Sequence, residues 1–202
     1  ESDAFFNVIR NSAQLAADQL GARVEFLNPS GGDLSEMARL IDQAAASQPD
    51  GIIATVPDAG IVSDPLANAV GRGIPVVIVN SGSADIAKQI GALRYIGQAE
   101  YDAGKAAGEK AKEAGAKSFV CVNHFFAHQA SHERCNGFAD GLGVPIGDQE
   151  IDSGSDPNDV VTRTAAFLAS HPDTQAILTL GPTSANPVIK WVRDQGASDK
   201  YF

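Results

Sequence analysis

Three histidines stand four residues apart, His124, His128 and His132, with Glu133 beside the last. On one continuous helix that spacing aligns three imidazoles along a face, and imidazole is a good zinc ligand. His124 follows an apolar strand directly, however, and the next helix reads as starting near Gln129, so the ladder is expected to break between His124 and His132. Polar lining of a cleft mouth and plain surface placement are the competing readings of these imidazoles. No metal and no other cofactor is expected. Other catalytic patterns fail sooner. No Gly-x-x-x-x-Gly-Lys-Ser/Thr loop is present, and Gly141-Leu142-Gly143 lies at a helix end rather than after a strand, so neither nucleotide-binding signature applies. Asn80-Ser81-Gly82-Ser83 follows a strand but lacks the Gly-x-Ser-x-Gly elbow that a serine nucleophile needs. Catalysis is not expected.

What the chain does supply is neutral hydrogen-bonding chemistry where open α/β sheets bind ligands, at the carboxyl ends of their strands. Those positions are Asn28, Pro57-Asp58, Asn80-Ser81, Asn123-His124, Asp152-Ser153 and Gly181-Pro182, joined by Asp3 to Phe6 at the start of the first helix. Amides, hydroxyls and carboxylates bond hydroxyl groups, and aromatic faces stack on C–H surfaces. The set suits a small, neutral, polyhydroxylated ligand.

Placing these residues requires strands and helices in alternation. Phe6, Ile9, Ala13, Ala16, Ala17 and Leu20 recur at helical spacing, and Gly21 stops the helix. A short strand is predicted over Val24 to Leu27. Asp33 caps the helix that follows, with Glu36 completing a capping box. Strand 51–56, helix 62–72 and strand 75–79 come next, then a loop and a brief extended piece at Tyr95-Ile96-Gly97. A second series repeats the plan: helix 100–114, strand 118–122, helix 129–142, strand 149–152, a helix opened by Pro157, strand 175–180 and helix 184–195. Lys200-Tyr201-Phe202 reads as the start of one more strand. Such a series implies parallel strands with helical crossovers. An offset of about 125 positions carries strands at Val24, Ile52 and Val76 onto 149, 177 and 201, which reads as an internal repeat, chance spacing of βα units with their narrow range of lengths being the alternative. The same offset asks for a strand before Glu1 and a continuation past Phe202, so the chain reads as part of a longer protein.

Bulk properties bound the rest. Hydrophobic residues make up 44% of the 202 and charged residues 20%, enough for real cores. The formal net charge of −10, spread along the chain, repels phosphate backbones, so no nucleic-acid partner is expected. No apolar run is long enough to span a membrane. Cys121 and Cys135 fall in a buried strand and the helix after it, and two buried free thiols are the expected state.

Several of these segments have a familiar pattern. Asp3-Ala4-Phe5-Phe6, Pro75 to Asn80, Tyr95-Ile96-Gly97-Gln98, Glu133-Arg134-Cys135-Asn136-Gly137-Phe138 and His171-Pro172-Asp173 before a strand resemble the periplasmic sugar-binding proteins of the ribose-binding type. The resemblance runs the whole length of the chain. It implies an α/β protein of two similar Rossmann-like lobes with parallel sheets and a ligand cleft and hinge between them. The N-terminal lobe would take residues 1–97, lacking its first strand, and the C-terminal lobe residues 98–202, truncated. It also implies a monomeric periplasmic receptor, its signal peptide removed, that closes on a small neutral sugar or polyol and delivers it to the membrane permease of an ATP-driven importer. The same core serves in sugar-responsive transcription repressors, which is the alternative.

Carried over by position, Phe5 and Phe6 match the family's aromatic contact with the sugar ring, and Asp3 a polar contact. Asn80 falls where the family usually has an aspartate. Arg134 matches an arginine that donates to sugar oxygens, and Gln98 lies in the segment resembling the first interlobe crossing. His124 is placed with the strand-end contacts. Ser81 stands where ribose binders carry an arginine, Ser155 where they carry an aromatic, and Gly181 where they carry an asparagine. A site with three smaller side chains points away from ribose and toward a hexose, polyol, cyclitol or sugar conjugate.

Overall fold

The computed structural model describes residues 4–202 of the chain. In order, the chain forms α1 (Ala4–Leu20), a 3-10 turn at Ser30–Gly32, α2 (Leu34–Ala46), β1 (Ile52–Ala54), α3 (Ala59–Gly71), β2 (Val76–Asn80), α4 (Ala84–Ile90), β3 (Arg94–Gly97) and α5 (Glu100–Glu113). It continues through β4 (Phe119–Asn123), α6 (Gln129–Leu142), β5 (Glu150–Asp152), α7 (Pro157–Ser170), β6 (Ala176–Thr179) and α8 (Pro182–Asp194). Every strand pair is parallel, in two three-stranded sheets ordered β1-β2-β3 and β5-β4-β6. The α/β class with parallel sheets is therefore as expected.

The chain divides into two compact units. One comprises Asn28–Lys112 and Ala127–Pro145. Its core gathers Ile41 of α2, Val62 and Leu66 of α3 and Val76 and Ile78 of β2, the last four with no exposure. Each such side chain contributes about 1.5–3 kcal/mol by leaving water. The other unit comprises the residues up to Leu27, Glu113–Phe126 and Ile146–Phe202. Here β4 is buried at every position, as the middle strand of a covered parallel sheet must be. Val120 and Val122 pack with Val160, Phe167 and Leu168 of α7 and Val188 of α8.

In the first unit α5 and α6 meet backbone to backbone. A Cβ on Gly104 would fall on the Arg134 carbonyl, and one on Gly108 on the Phe138 carbonyl. Reciprocally, Gly137 abuts the Tyr101 carbonyl and Gly141 the Lys105 carbonyl. Glycine inside a helix costs about 1 kcal/mol relative to alanine, and the close approach with its Cα–H···O contacts offsets that cost.

Several elements differ from expectation. Residues 22–29 run without regular structure, so Val24 to Leu27 is not a strand and the first step of the 125-residue repeat is missing. A strand needs a ladder partner as well as an alternating sequence. Residues 84–90, read as loop, form α4, whose signals are Ser83 Oγ accepting from Ile86 N at 3.1 Å and Gly91 closing the helix at φ 81°. Asp33 caps α2 as expected, accepting from Ser35 N and Glu36 N, but Glu36 reaches past it to accept from Ser30 N at 2.7 Å. The Asp33 amide is already bonded to the Ser30 carbonyl, which leaves no donor there for a capping box. Phe202 exchanges backbone bonds of 3.0 Å with Gln175 and Ile177, a strand-like pairing at the expected place. The expectation of free thiols is corrected: Cys121 and Cys135 are disulfide-bonded and no cysteine is free. Both are fully buried, which is equally typical of thiol and disulfide, so burial could not tell them apart.

Candidate functional site

The carboxyl ends of β1 and β2 are stitched together before any ligand is considered. Ser81 N donates to Thr55 Oγ1 at 3.2 Å, and Val56 N donates to the Ser81 carbonyl at 2.9 Å. Asn80 Nδ2 donates to Ser81 Oγ at 3.3 Å. Asn80 itself has φ 61°, a left-handed conformation that asparagine tolerates better than most residues. Its carbonyl accepts from Tyr95 Oη at 2.9 Å across the strand pair. Gly97 is the register partner of Asn80, and a side chain there would collide with both that carbonyl and the Tyr95 ring. Burial raises the Tyr95 phenol above its ordinary value, and the Glu100 charge adds to the shift. Tyr95 thus remains a neutral donor. Gln98 follows immediately and is exposed.

Arg134 lies on the second turn of α6 in the same unit. Its Nε and Nη2 both engage Glu100 Oε2, at the first residue of α5. The Glu100 side chain is 9% exposed and that of Arg134 23%, so this is no surface ion pair. Burial raises the Glu100 carboxyl above its ordinary value; Arg134 pulls it down, and Glu133 pushes it up. The tight glycine seam registers the pair, since Gly104 one turn along α5 rests on the carbonyl of Arg134 itself. The start of α6 is held by Ala130 N donating to the Pro57 carbonyl at 3.1 Å.

In the other unit, Asn123 ends β4 fully buried, its amide donating to Glu150 Oε1 at 2.6 Å and its Oδ1 accepting from Phe125 N at 2.9 Å. His124 is also buried, with Nδ1 at 3.2 Å from Ser184 Oγ, which is itself inaccessible. Gly181 lies against this imidazole: a Cβ there would stand 3.5 Å from His124 Cε1. Ser155 is exposed just before Asp156, which caps α7. Phe5 and Phe6 begin α1 with rings 5.2 Å apart and edge to face, Phe5 the more exposed at 40%. Asp3 lies outside the described residues.

The structure therefore brings Asn80 and Ser81 together, sets Arg134 on Glu100, and sets His124 over Gly181. Gln98 and Ser155 are both exposed. Thr55, Tyr95, Glu100 and Ser184 were missed as site residues. A signal existed for Thr55, because the strand-end rule applied to a strand ending at Ala54 selects it. None existed for Glu100 or Ser184, whose roles come from pairings 34 and 60 residues apart. α6 begins at Gln129, as expected, and His128 precedes it with Nε2 3.2 Å from the Gly32 carbonyl, so the three histidines form no ladder. Among the described residues no group of three His, Cys, Asp or Glu is arranged to hold a metal ion, and no helix is long and apolar enough to cross a membrane.

Comparison with known proteins identifies the family and the fold. The family profile described as a periplasmic binding protein domain matches residues 1–202. A carbohydrate transporter of Acidothermus cellulolyticus 11B, solved in complex with myo-inositol, is 34% identical with a TM-score of 0.86 over 97% of this chain and 67% of its own. A periplasmic sugar-binding protein of an ABC sugar transporter from Legionella pneumophila is 28% identical, TM-score 0.85, over 98% of this chain and 74% of its own. A solute-binding protein from Burkholderia graminis C4D1M in complex with D-arabinose, at 23% identity and TM-score 0.85, shares the fold. No curated protein matches the chain.

Proposed function

Because the chain belongs to the periplasmic binding protein domain family, we propose that it captures a small neutral sugar, polyol or cyclitol and hands it unchanged to the membrane permease of an ATP-driven importer. The observation that carries this reading is the match to a carbohydrate transporter holding myo-inositol, 34% identical over 97% of this chain. The residues at the strand ends agree with it, being mostly amides, hydroxyls and an imidazole, with the carboxylates of Asp58 and Asp152 as further acceptors for hydroxyl groups. In this reading Phe5 and Phe6 stack on the ligand's C–H face, and Asn80, Ser81, Gln98 and Ser155 bond its hydroxyls. His124 and Arg134 donate from their own elements, and Gly181 leaves room beside the imidazole. Both lobes, 1–97 and 98–202, contribute contacts and close on the ligand by hinge motion.

An extracytoplasmic location follows from the same family, and the disulfide-bonded Cys121 and Cys135 support it, because such bonds persist in oxidising compartments. The receptor acts as a monomer. Thermal-shift screening of the full-length protein against neutral hexoses, pentoses, linear polyols and inositols tests the reading. One of them is expected to stabilise the protein by about 2.7 kcal/mol when present at roughly a hundredfold its Kd. Absence of any shift across the panel overturns it.

A further inference from the structure

We propose that Glu100 decides the charge of ligand this site accepts: by occupying one edge of the Arg134 guanidinium it both aims that group and cancels its charge, so that neutral polyols are admitted and anionic sugars refused. The inference rests on the sugar-binding reading above and deepens it. A bare arginine in a half-buried site is an anion receptor, since its planar fork matches carboxylate and phosphate in two parallel hydrogen bonds. Such an arginine would favour uronic acids and sugar phosphates over the neutral compounds. Here that fork is already engaged. Glu100 Oε2 takes both Nε and Nη2, the edge a ligand carboxylate or phosphate would otherwise claim.

The pairing is built in rather than incidental. Glu100 is the first residue of α5 and Arg134 sits on α6, and the two helices are locked by Gly104 against the Arg134 carbonyl and Gly137 against the Tyr101 carbonyl. With the carboxylate side chain 9% exposed, little solvent screens it from its partner. Glu133, exposed and adjacent to Arg134 in sequence, adds negative charge nearby, and the chain's net charge of −10 has the same sign. Of the guanidinium's five N–H groups, Nε–H and one on Nη2 face Glu100, so ligand hydroxyls fall to its other edge, which offers no net charge to pair with.

The test compares a neutral ligand with its anionic counterpart by calorimetry on the full-length protein: glucose against glucuronate, and myo-inositol against a myo-inositol monophosphate. Wild type is expected to prefer the neutral member by at least about tenfold. Glu100→Gln keeps the side chain's size and an acceptor oxygen, and is expected to move the preference toward the anion by about tenfold or more. Glu133→Gln removes an exposed charge beside Arg134 without touching the pair, and is expected to move the preference several-fold less than Glu100→Gln does. Equal shifts in the two variants, or none in either, overturn the inference. So does a wild type that binds the anion as well as the neutral compound, a result that needs no variant to fold. Failure of wild type to bind any member of either pair or of the wider panel overturns the sugar-binding reading itself, and the inference with it.

Discussion

Glu100 carries a cost that depends on pH. Its carboxyl is raised above the usual value by burial, with Glu133 adding to the shift and Arg134 opposing it; Tyr95 is the other titratable group that senses it. Between its unfolded and folded values the native chain holds more protons than the unfolded chain, so this group's contribution is present below the unfolded value and is lost as pH rises through the folded one. Relative to Glu100→Gln, wild type is therefore expected to gain stability on going from about pH 7 to about pH 4, read as urea midpoints at the two values. A difference between the two proteins that is flat with pH, or larger at neutral pH, contradicts this. Residue-scale legibility was uneven. Asn80 and Ser81 were found from their place after a strand, while the left-handed turn at Asn80 and its clasp by Tyr95 became visible only once β2 and β3 were paired. Arg134 was singled out through the resemblance, as a donor to a ligand. That its fork faces Glu100 was not legible, because nothing local in either segment encodes a contact across 34 residues.

At the scale of elements, glycines divide into those that hold space and those that merely occupy it. Gly104→Ala places a methyl group on the Arg134 carbonyl, and backbone cannot step aside as a flexible side chain can. The variant is expected to lose about 1–3 kcal/mol in denaturant unfolding despite alanine's better helix propensity. Gly71 ends α3 with nothing within 4 Å of a Cβ and an ordinary backbone, so Gly71→Ala is expected to gain about 0.4–1 kcal/mol. Similar effects in the two variants would refute the backbone seam. Most elements were legible from apolar periodicity, including β4 and α6 to within a residue of their starts. The exceptions have local causes. α4 is only 7 residues long, too short for a periodic signal, although its serine cap and terminal glycine were both in view. Val24 to Leu27 alternates like a strand but runs beside none, and alternation describes one edge of a ladder that needs two.

For the whole molecule, the disulfide is the feature with the largest reach per atom. Cys121 and Cys135 enclose a loop of about 15 residues, for which chain entropy gives about 3 kcal/mol of stabilisation. Replacing both by alanine is expected to lower stability by about 2–4 kcal/mol, measured against wild type without reductant. A loss well under 1 kcal/mol would remove the bond from the account of stability and weaken the argument for an oxidising compartment. The fold class and the two parallel sheets were legible across the full chain because alternating strands and helices leave few other topologies. Which strand ends share a ligand was legible only as a list, since contact depends on geometry that sequence order does not contain. The glycine seam has one more implication. Pressing two helices together normally freezes the side chains between them, and each long one surrenders up to about 2 kcal/mol of rotamer entropy. At the four glycines where α5 touches the backbone of α6 there are no rotamers to freeze. The seam thus sets the helix register at a cost drawn from backbone that had to be ordered into helices in any case, and leaves side-chain entropy to be lost only by the groups that pair across it, Glu100 and Arg134 among them.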